Sequence, residues 1–302
     1  MGSLRLNQAK NWDDYRDAVT GWKVPSANLV YADREGNIGW TATALTPQRR
    51  SGFGLVPVPG ATDHYDWVGY LSENQLPREF NPERGFIGTA NSNILPEGFP
   101  FFISYEWSPP YRQERVRNVL ASQDKHTVED SKRLQLDDTS LPAKRLVPLA
   151  HYMQNEDPAL QPYFQIMREW DCVLSSDSAA AALYAVWLAE LLDEYYTPRV
   201  PKAQLDIVRT SGGVERMLEE LNPHSFNPAS VAPGSLVHRA FLAAINKMKA
   251  LQGDDPAKWS WGKLHTAKFA HSLSSLGEPY AQAFDRGPVP RSGDGFTPHA
   301  TS

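Results

Sequence analysis

The first hundred residues change from a helical pattern to strand patterns. Residues 7–20 carry apolar side chains at helical spacing, which predicts a short amphipathic helix. Residues 29–31 have high strand propensity, and residues 38–44 are typical of a returning strand. Between them, residues 33–37 include a Gly and an Asn, which are suited to a tight turn. The segment is therefore predicted to form a β-hairpin behind a leading helix.

Helical periodicity dominates from residue 112 onward. The pattern predicts helices over residues 113–121, 127–135, 141–153, 163–171, 178–196, 214–221 and 236–251. Thr127 and Ser178 precede two of these segments and are typical N-cap residues. Residues 179–192 are apolar nearly all round, which predicts a buried helix.

Two stretches lack a periodic pattern. Residues 197–233 are rich in proline, which indicates a connector with one short helix. After Gly253 the chain is predicted to be irregular, and residues 287–302 show no closing element. The changes of pattern along the sequence predict three regions. They are a sheet portion with a leading helix at 1–112, a mainly helical region at 113–255 and a truncated return toward the sheet at 256–302.

Composition excludes several classes of protein. In 302 residues, 41% hydrophobic content and nine Trp supply enough apolar material for a sizeable core. A net charge of -5 gives no general basic surface, which argues against nucleic-acid binding. The sequence has no apolar run long enough to cross a bilayer and no signal-peptide pattern at Met1.

Isolated chemical groups suggest no site by themselves. Cys172 is the single cysteine and is interpreted as a packing residue, because no thiol-protease pattern surrounds it. The eight His show no paired metal-ligand spacing. Asp137 and Asp138 are interpreted as a solvated helix face, since adjacent residues on a helix point in different directions.

A series of short phrases follows a fixed order along the chain. They are Asn28-Leu-Val-Tyr-Ala-Asp33, Gly36-Asn-Ile-Gly39, Pro47-Gln-Arg-Arg-Ser-Gly52, Pro57-Val-Pro-Gly60, Asp66-Trp-Val-Gly-Tyr70, Asn81-Pro82, Gly85-Phe-Ile-Gly-Thr-Ala-Asn-Ser-Asn93 and Tyr105-Glu-Trp-Ser-Pro-Pro-Tyr-Arg112. Two later phrases are Trp261-Gly-Lys-Leu-His265 and Gly293-Asp-Gly-Phe296. Over most of the chain this succession resembles the penicillin acylase family of N-terminal nucleophile hydrolases.

The resemblance implies an α+β fold, as a fragment of a four-layer αββα sandwich with a largely helical insertion. It indicates an internal fragment of the β chain. In this family an N-terminal Ser attacks a non-peptide amide while its own α-amino group serves as base. No residue of this chain matches that nucleophile. Ser3 follows Gly2 but is rejected, because residues 4–19 resemble the helix just before the Asn28 strand, and the family nucleophile lies far upstream of that strand.

Two residues match family positions around the nucleophile. Asn28 matches the side-chain donor of the oxyanion hole, although a strand-start Asn can also serve as a cap. Arg49 matches an Arg in the hydrogen-bond network around the nucleophile's amine, with Arg50 as the alternative register. A loop Arg bound to a carboxylate is the other interpretation of Arg49. His265 lies in a family phrase and is expected to pack or to form hydrogen bonds.

The resemblance also implies an activity and partners. The expected reaction is cleavage of the acyl side chain of a β-lactam or of an acyl-homoserine lactone. The alternative is a catalytically silent fragment or pseudo-enzyme subunit that acts only with a partner chain. The implied partners are a small-molecule amide substrate, the α chain and the missing part of the β chain, with no nucleic acid and no membrane span.

The resemblance implies no cofactor for the chemistry, although a structural calcium ion is expected in the family and Asp33 is a testable ligand. Family members suggest a periplasmic or secreted location. Trp and Phe residues near the hairpin and within residues 99–107 are candidates for an acyl pocket, with a core role favoured for most of them.

Overall fold

The protein divides into two compact units. In a computed structural model, the described residues are 2–153, 157–210, 212–221 and 231–300. The first unit comprises residues 1–113 and 120–123, and the second comprises residues 114–119 and 124–302. Strands are concentrated in the first unit and helices in the second, so the chain has a mixed α+β fold.

A three-stranded antiparallel sheet organises the first unit. Its strands are β1 (Ala27–Ala32), β2 (Ile38–Thr43) and β5 (Arg78–Phe80), in the order β1-β2-β5. The β1–β2 turn contains Gly36 at φ 89°, a conformation that glycine adopts without steric penalty. The predicted β-hairpin is therefore confirmed.

Two short helices precede the sheet. They are α1 (Gly2–Leu6), which the sequence pattern does not predict, and α2 (Trp12–Val19), which lies within the helix predicted at residues 7–20. Asn11 divides them, because its side chain accepts the backbone N–H of Asp14 as an N-cap. Helix α2 lies on the sheet through Trp12, whose ring centroid is 4.7 Å from that of Phe80. The Trp12 ring occupies the space above Gly39, where a Cβ would approach it to 2.4 Å.

The rest of the first unit is mostly loop around a second small sheet. Strands β3 (Pro47–Arg49) and β4 (Trp67–Tyr70) pair antiparallel, and the register shifts between Gln48 and Arg49. Such an irregularity changes the direction of a side chain relative to the strand. Here Gln48 is paired with Gly69 and Arg49 with Trp67, so the shift passes over Val68.

The second unit is mainly helical. Helix α3 (Tyr111–Leu120) lies at the boundary between the units. The helices of the second unit are α4 (Val128–Gln135), α5 (Leu141–Tyr152), α6 (Gln161–Arg168), α7 (Ala179–Tyr196), α8 (Leu205–Thr210), α9 (Gly213–Leu221), α10 (Leu236–Gln252) and α11 (Glu278–Phe284). The predicted caps are confirmed, since Thr127 and Ser178 accept backbone N–H groups at the starts of α4 and α7. Residues 222–230 of the predicted connector lie outside the described residues.

Helix α7 is the centre of the helical core, as its all-round apolar pattern predicts. Trp187 of α7 is fully buried and contacts Phe241 of α10, with ring centroids 4.9 Å apart. Phe241 also contacts Phe164 of α6 at 4.8 Å. These aromatic contacts join three helices. Cys172 is buried as well, and burial raises the pKa of its thiol to about 11, which agrees with a packing role.

The prediction of an irregular, unclosed region after Gly253 is wrong. Strands β6 (Thr266–Phe269) and β7 (Arg286–Pro290) pair antiparallel, and α11 lies between them. The segment beyond β7 is held by backbone bonds from Gly293 N–H to Leu174 C=O, 2.8 Å, and from His299 N–H to Asp137 C=O, 3.1 Å. Each partner is distant in sequence, so local patterns could not reveal this closure.

The interpretation of Asp137 and Asp138 as a solvated helix face is also wrong. Helix α4 ends at Gln135, and both carboxylates lie largely below the surface. Asp137 accepts hydrogen bonds from Arg115 at 2.6 and 2.8 Å, while Asp138 contacts His299 Nδ1 at 2.9 Å. Neighbouring carboxylates thus bind partners on different segments.

Truncation of the aromatic centre should destabilise the second unit. We expect Phe241→Ala to lower the free energy of unfolding by about 3–5 kcal/mol, because it removes a buried ring and leaves a cavity. Leu251→Ala on the same helix is the control, since Leu251 is 54% exposed. Urea unfolding followed by tryptophan fluorescence measures both. Equal losses in the two variants would contradict the assignment of the core.

Asp294 should make stability depend on pH. Desolvation raises the pKa of its carboxyl to about 6 in the folded protein, above its ordinary value of 3.8. Well below pH 3.8 the acid is neutral in both states and has no penalty. As pH rises to 6 the unfolded state ionises first, so stability falls and then stays lower.

Replacement of Asp294 tests this dependence. We expect Asp294→Asn to raise stability by about 3 kcal/mol at pH 8 and to have little effect at pH 4. Asparagine keeps the oxygen that accepts the N–H of Phe296. The control is Asp177→Asn, which removes a charge from an exposed position. Chemical denaturation at pH 4 and pH 8 measures the free energy of unfolding. An equal change in Asp294→Asn at the two pH values would contradict the account.

Candidate active site

A cleft of about 420 Å³ lies at the ends of β1 and β2 in the first unit. Its floor comes from the two strands, and its wall comes from the loop that contains Ile103 and Trp107. The lining residues are Ser26, Ala27, Asn28, Ala42, Thr43, Ala44, Leu45, Thr46, Pro47, Leu76, Asn91, Ile94, Ile103, Ser104, Glu106 and Trp107. The cleft is mixed in character, with apolar walls and a few polar groups, as small-molecule sites usually are.

Asn28 lines this cleft from the second position of β1. Its strand partner is Ala42. Side chains alternate between the faces of a strand, and Tyr31 contacts Trp12 of α2, with ring centroids 5.3 Å apart. Asn28 therefore lies on the face opposite α2. No described residue hydrogen-bonds to its side-chain amide, which leaves the two N–H donors available to a ligand in the cleft.

Two side-chain hydrogen bonds fix the backbone on both sides of Asn28. Thr43 Oγ1 donates to the carbonyl of Ala27 at 3.0 Å, and Tyr15 Oη donates to the carbonyl of Leu29 at 2.8 Å. Burial raises the pKa of Tyr15 to about 12, so its hydroxyl keeps its proton at physiological pH. Sequence reasoning missed both residues, because the partners of a Tyr or Thr hydroxyl are not visible in a local pattern.

Arg49 lines a neighbouring cleft of about 390 Å³. Its guanidinium carbon lies 5.8 Å from the centre of the Trp67 ring, and a Cβ at Gly54 would approach its Nη2 to 2.8 Å. Arg50, the alternative register, instead forms an exposed ion pair with Asp63 at 3.1 Å. Pro47 lines both clefts, so Asn28 and Arg49 occupy adjacent sites rather than one shared hydrogen-bond network.

An aromatic cluster borders the Arg49 cleft. The ring centroids of Phe53 and Phe102 are 5.2 Å apart, and those of Phe102 and Tyr105 are 4.4 Å apart. Phe53 is 59% exposed and Tyr105 is 47% exposed, so these two rings lie at the surface. Phe53 and Phe102 line the Arg49 cleft itself, and Tyr105 lies beside them at the surface.

No hydroxyl group of the Asn28 cleft is hydrogen-bonded to a basic side chain among the described residues. Ser104 Oγ accepts the backbone N–H of Glu106 at 3.0 Å, and Thr43 is bonded to Ala27. No His or Lys lines the cleft among the described residues. Ser3, the rejected candidate, lies within helix α1. A Ser or Thr needs an adjacent base to attack an amide. The described cleft thus contains a candidate oxyanion donor without a recognisable nucleophile.

His265 has the packing role that its sequence context suggests. Its ring stacks on Trp261, with centroids 4.7 Å apart, and its Nδ1 lies 3.2 Å from the carbonyl oxygen of Arg291. The indole N–H of Trp261 also donates to the carbonyl of Gly293 at 2.9 Å, and this bond joins the two later sequence phrases.

Asp33 organises the β1–β2 turn and does not fit a calcium site. Its carboxylate accepts hydrogen bonds from Tyr31 Oη and Asn37 Nδ2, both at 2.8 Å, and from the backbone N–H groups of Glu35 and Asn37 at 2.9 Å. These bonds, led by that of the Asn37 side chain, hold the pKa of Asp33 below its usual value. Within the described part of the chain, no group of three or more His, Cys, Asp or Glu could hold a metal ion.

The turn role of Asp33 can be separated from metal binding. We expect Asp33→Ala to lower the Tm, because it removes four hydrogen bonds from the hairpin turn. Glu35→Ala in the same turn is the control, since this side chain is exposed. Addition of calcium is expected to shift the Tm of the wild type and of Asp33→Ala equally. A calcium-dependent stabilisation that is lost only in Asp33→Ala would identify Asp33 as a ligand.

Comparison with solved structures identifies the fold. A thermostable penicillin G acylase from Alcaligenes faecalis superposes with a TM-score of 0.67 and 22% sequence identity, covering 86% of this chain and 53% of that chain. The fold is thus similar to that of penicillin G acylase. The Penicillin amidase profile matches residues 1–302, and the chain belongs to this family.

Curated relatives carry two kinds of name. An acyl-homoserine lactone acylase QuiP from Pseudomonas aeruginosa is 29% identical over 98% of this chain and 39% of that protein. A second QuiP, from Pseudomonas fluorescens Pf0-1, is 30% identical over 97% of this chain and 38% of that protein. Penicillin acylase 2 proenzyme of Pseudomonas sp. SE83 is 26% identical over 93% of this chain and 37% of that protein. The chain spans about two fifths of the length of these relatives.

None of the described helices is long and apolar enough to cross a membrane.

Proposed function

We propose that residues 1–302 supply the oxyanion-binding part of an amide hydrolase whose nucleophile comes from polypeptide outside these residues. The observation that supports this proposal is the placement of Asn28 in the cleft, with an amide that no described residue engages and a backbone fixed by Thr43 and Tyr15. Membership of the Penicillin amidase family supports the reaction class.

In the proposed reaction, the Oγ of an N-terminal Ser attacks the carbonyl carbon of the substrate amide. The α-amino group of that Ser accepts the hydroxyl proton and then passes it to the departing amine. Negative charge develops on the carbonyl oxygen in the tetrahedral intermediate, and the Asn28 Nδ2–H donates to it. Collapse of the intermediate breaks the C–N bond and leaves an acyl-enzyme, which water then hydrolyses to the free acid.

Asparagine suits this role because its amide donates without titrating. A donor held in place before the reaction does not have to reorganise as the charge forms, which is the basis of oxyanion-hole catalysis. The bonds to the carbonyls of Ala27 and Leu29 provide this positioning on either side of the residue. No cofactor is required for these steps.

The proposed substrates carry an acyl group on a non-peptide amide, as β-lactams with acyl side chains and acyl-homoserine lactones do. The names of the relatives, acyl-homoserine lactone acylase and penicillin acylase, support these two classes. The open aromatic cluster of Phe53, Phe102 and Tyr105 offers an apolar surface for an acyl chain. Arg49, beside this cluster, is proposed to contribute to the hydrogen-bond network of the nucleophile's amine.

Substitution of Asn28 tests the oxyanion role. In the full-length polypeptide that carries residues 1–302, we expect Asn28→Ala to lower kcat about 10²–10³-fold with a much smaller change in KM, because the donor acts mainly in the transition state. Asn28→Asp keeps the side-chain size but places a carboxylate near the oxyanion, and it should be at least as impaired. Hydrolysis of chromogenic phenylacetyl and long-chain acyl anilides measures both parameters.

The control and the alternative use the same assay. Ser26→Ala alters a neighbouring residue of the cleft lining and should retain activity. Residues 1–302 alone are expected to be inactive. Full activity of Asn28→Ala would reject the oxyanion role, and a full-length polypeptide without turnover would favour a catalytically silent subunit.

A further inference from the structure

Asn91 is the second side-chain amide in the lining of the Asn28 cleft. It belongs to the long segment between β5 and α3, and it lines this cleft but not the Arg49 cleft. Its backbone has φ 62°, a left-handed conformation that Asn tolerates better than most residues. The carbonyl of Asn91 accepts the backbone N–H of Ser108 at 2.8 Å. The residue is therefore held in place at the wall of the cleft.

Arg112 determines which atoms of the Asn91 amide are left for a ligand. Arg112 Nη2 donates to Asn91 Oδ1 at 3.0 Å and to Ser108 Oγ at 3.3 Å. A guanidinium has donors and no acceptor, so the amide atom that faces it must be the oxygen. No described residue accepts a hydrogen bond from Asn91 Nδ2. The side chain therefore offers the cleft its N–H donors.

Neighbouring polar groups of the cleft do not supply such donors. Thr43 Oγ1 donates to the carbonyl of Ala27 at 3.0 Å, and Ser104 Oγ donates to the carbonyl of Glu106 at 3.4 Å. A carboxylate such as that of Glu106 has acceptors only. Asn91 therefore adds a hydrogen-bonding capacity that these neighbours lack.

The proposed substrates have two carbonyl groups that need donors. In acyl-homoserine lactones and in β-lactams with acyl side chains, the departing amine carries a ring carbonyl on the carbon next to its nitrogen. The acyl group and this amine lie on opposite sides of the amide carbon. Phe53 and Phe102 of the Arg49 cleft suit the acyl chain, which leaves the Asn28 cleft, with Asn91, for the ring.

We propose that Asn91 binds the ring carbonyl of the departing amine, while Asn28 binds the oxygen of the amide that is cleaved. This assignment rests on the proposed function, because it takes the cleft as the place of amide hydrolysis. The ring carbonyl does not change during the reaction, so a hydrogen bond to it acts on the substrate and the transition state alike. Asn91 is thus a specificity residue whose contribution falls mainly on KM.

A substrate without the ring carbonyl tests the assignment. The two probes are decanoyl-homoserine lactone and the matching decanoyl tetrahydrofuranyl amide, in which a methylene group replaces the ring carbonyl. In the full-length polypeptide, we expect Asn91→Gly to raise KM about 5–10-fold for the lactone and to change it less than about twofold for the tetrahydrofuranyl amide. Glycine adopts the left-handed φ of residue 91 without strain. Chromatography of the released decanoic acid measures both rates.

Two further variants separate the donor from the loop. Asn91→Asp keeps an oxygen for Arg112 but has no N–H, so kcat/KM for the lactone should fall at least as far as in Asn91→Gly. Asn93→Gly is the control, since Asn93 lies in the same loop outside the cleft lining and should keep the wild-type KM for both probes. An unchanged KM for the lactone in Asn91→Gly, or an equal rise for both probes, would overturn the proposal.

The remaining outcomes distinguish ring recognition from the oxyanion role. Asn28→Ala is expected to lower kcat for both probes. A similar loss of kcat for both probes in Asn91→Gly would make Asn91 a second oxyanion donor and overturn its assignment to the ring. A lactone-specific rise of KM in Asn91→Gly together with full activity of Asn28→Ala would support ring recognition and reject the oxyanion role. A wild-type polypeptide that hydrolyses neither probe would reject both.

Discussion

The contact between Trp12 and Gly39 determines the organisation of the first unit. A side chain at residue 39 would collide with the indole ring, so only glycine allows α2 to approach the sheet this closely. The ring then stacks with Tyr15 and Phe80 at centroid distances of 5.0 and 4.7 Å. This aromatic layer fixes one face of the sheet, and the candidate site develops on the other face.

The two faces of the sheet therefore have different contacts. On the helix side, Tyr15 reaches a backbone carbonyl of β1 and helps to fix the strand. On the cleft side, Asn28 keeps an amide that the described residues do not engage. Leaving a polar group without a partner has a free-energy penalty when the group is buried, and Asn28 is only half-buried. The amide of Asn28 therefore carries only part of this penalty.

Sequence reasoning succeeded where the determining interactions are local. The hairpin after Asn28, the caps Thr127 and Ser178 and the buried helix α7 depend on turn residues, capping residues and short-range periodicity. The register shift in β3 that pairs Arg49 with Trp67 leaves no pattern in the sequence. The burial of Asp137 and Asp138 and the β6–β7 pair depend on partners far along the chain, so propensity could not predict them.

The β6–β7 pair has a consequence for how this chain can vary. Residues 270–285 connect strands β6 and β7, which are hydrogen-bonded to each other. The distance between the two ends of this segment is therefore fixed, whatever its length or sequence. Phe269 and Leu276 are 67% and 64% exposed, and no residue of α11 is buried. Selection for core volume therefore acts weakly on this segment. During evolution it can lengthen, shorten or be exchanged, while the flanking Trp261 and Gly293, which are joined by a hydrogen bond of 2.9 Å, keep the unit closed.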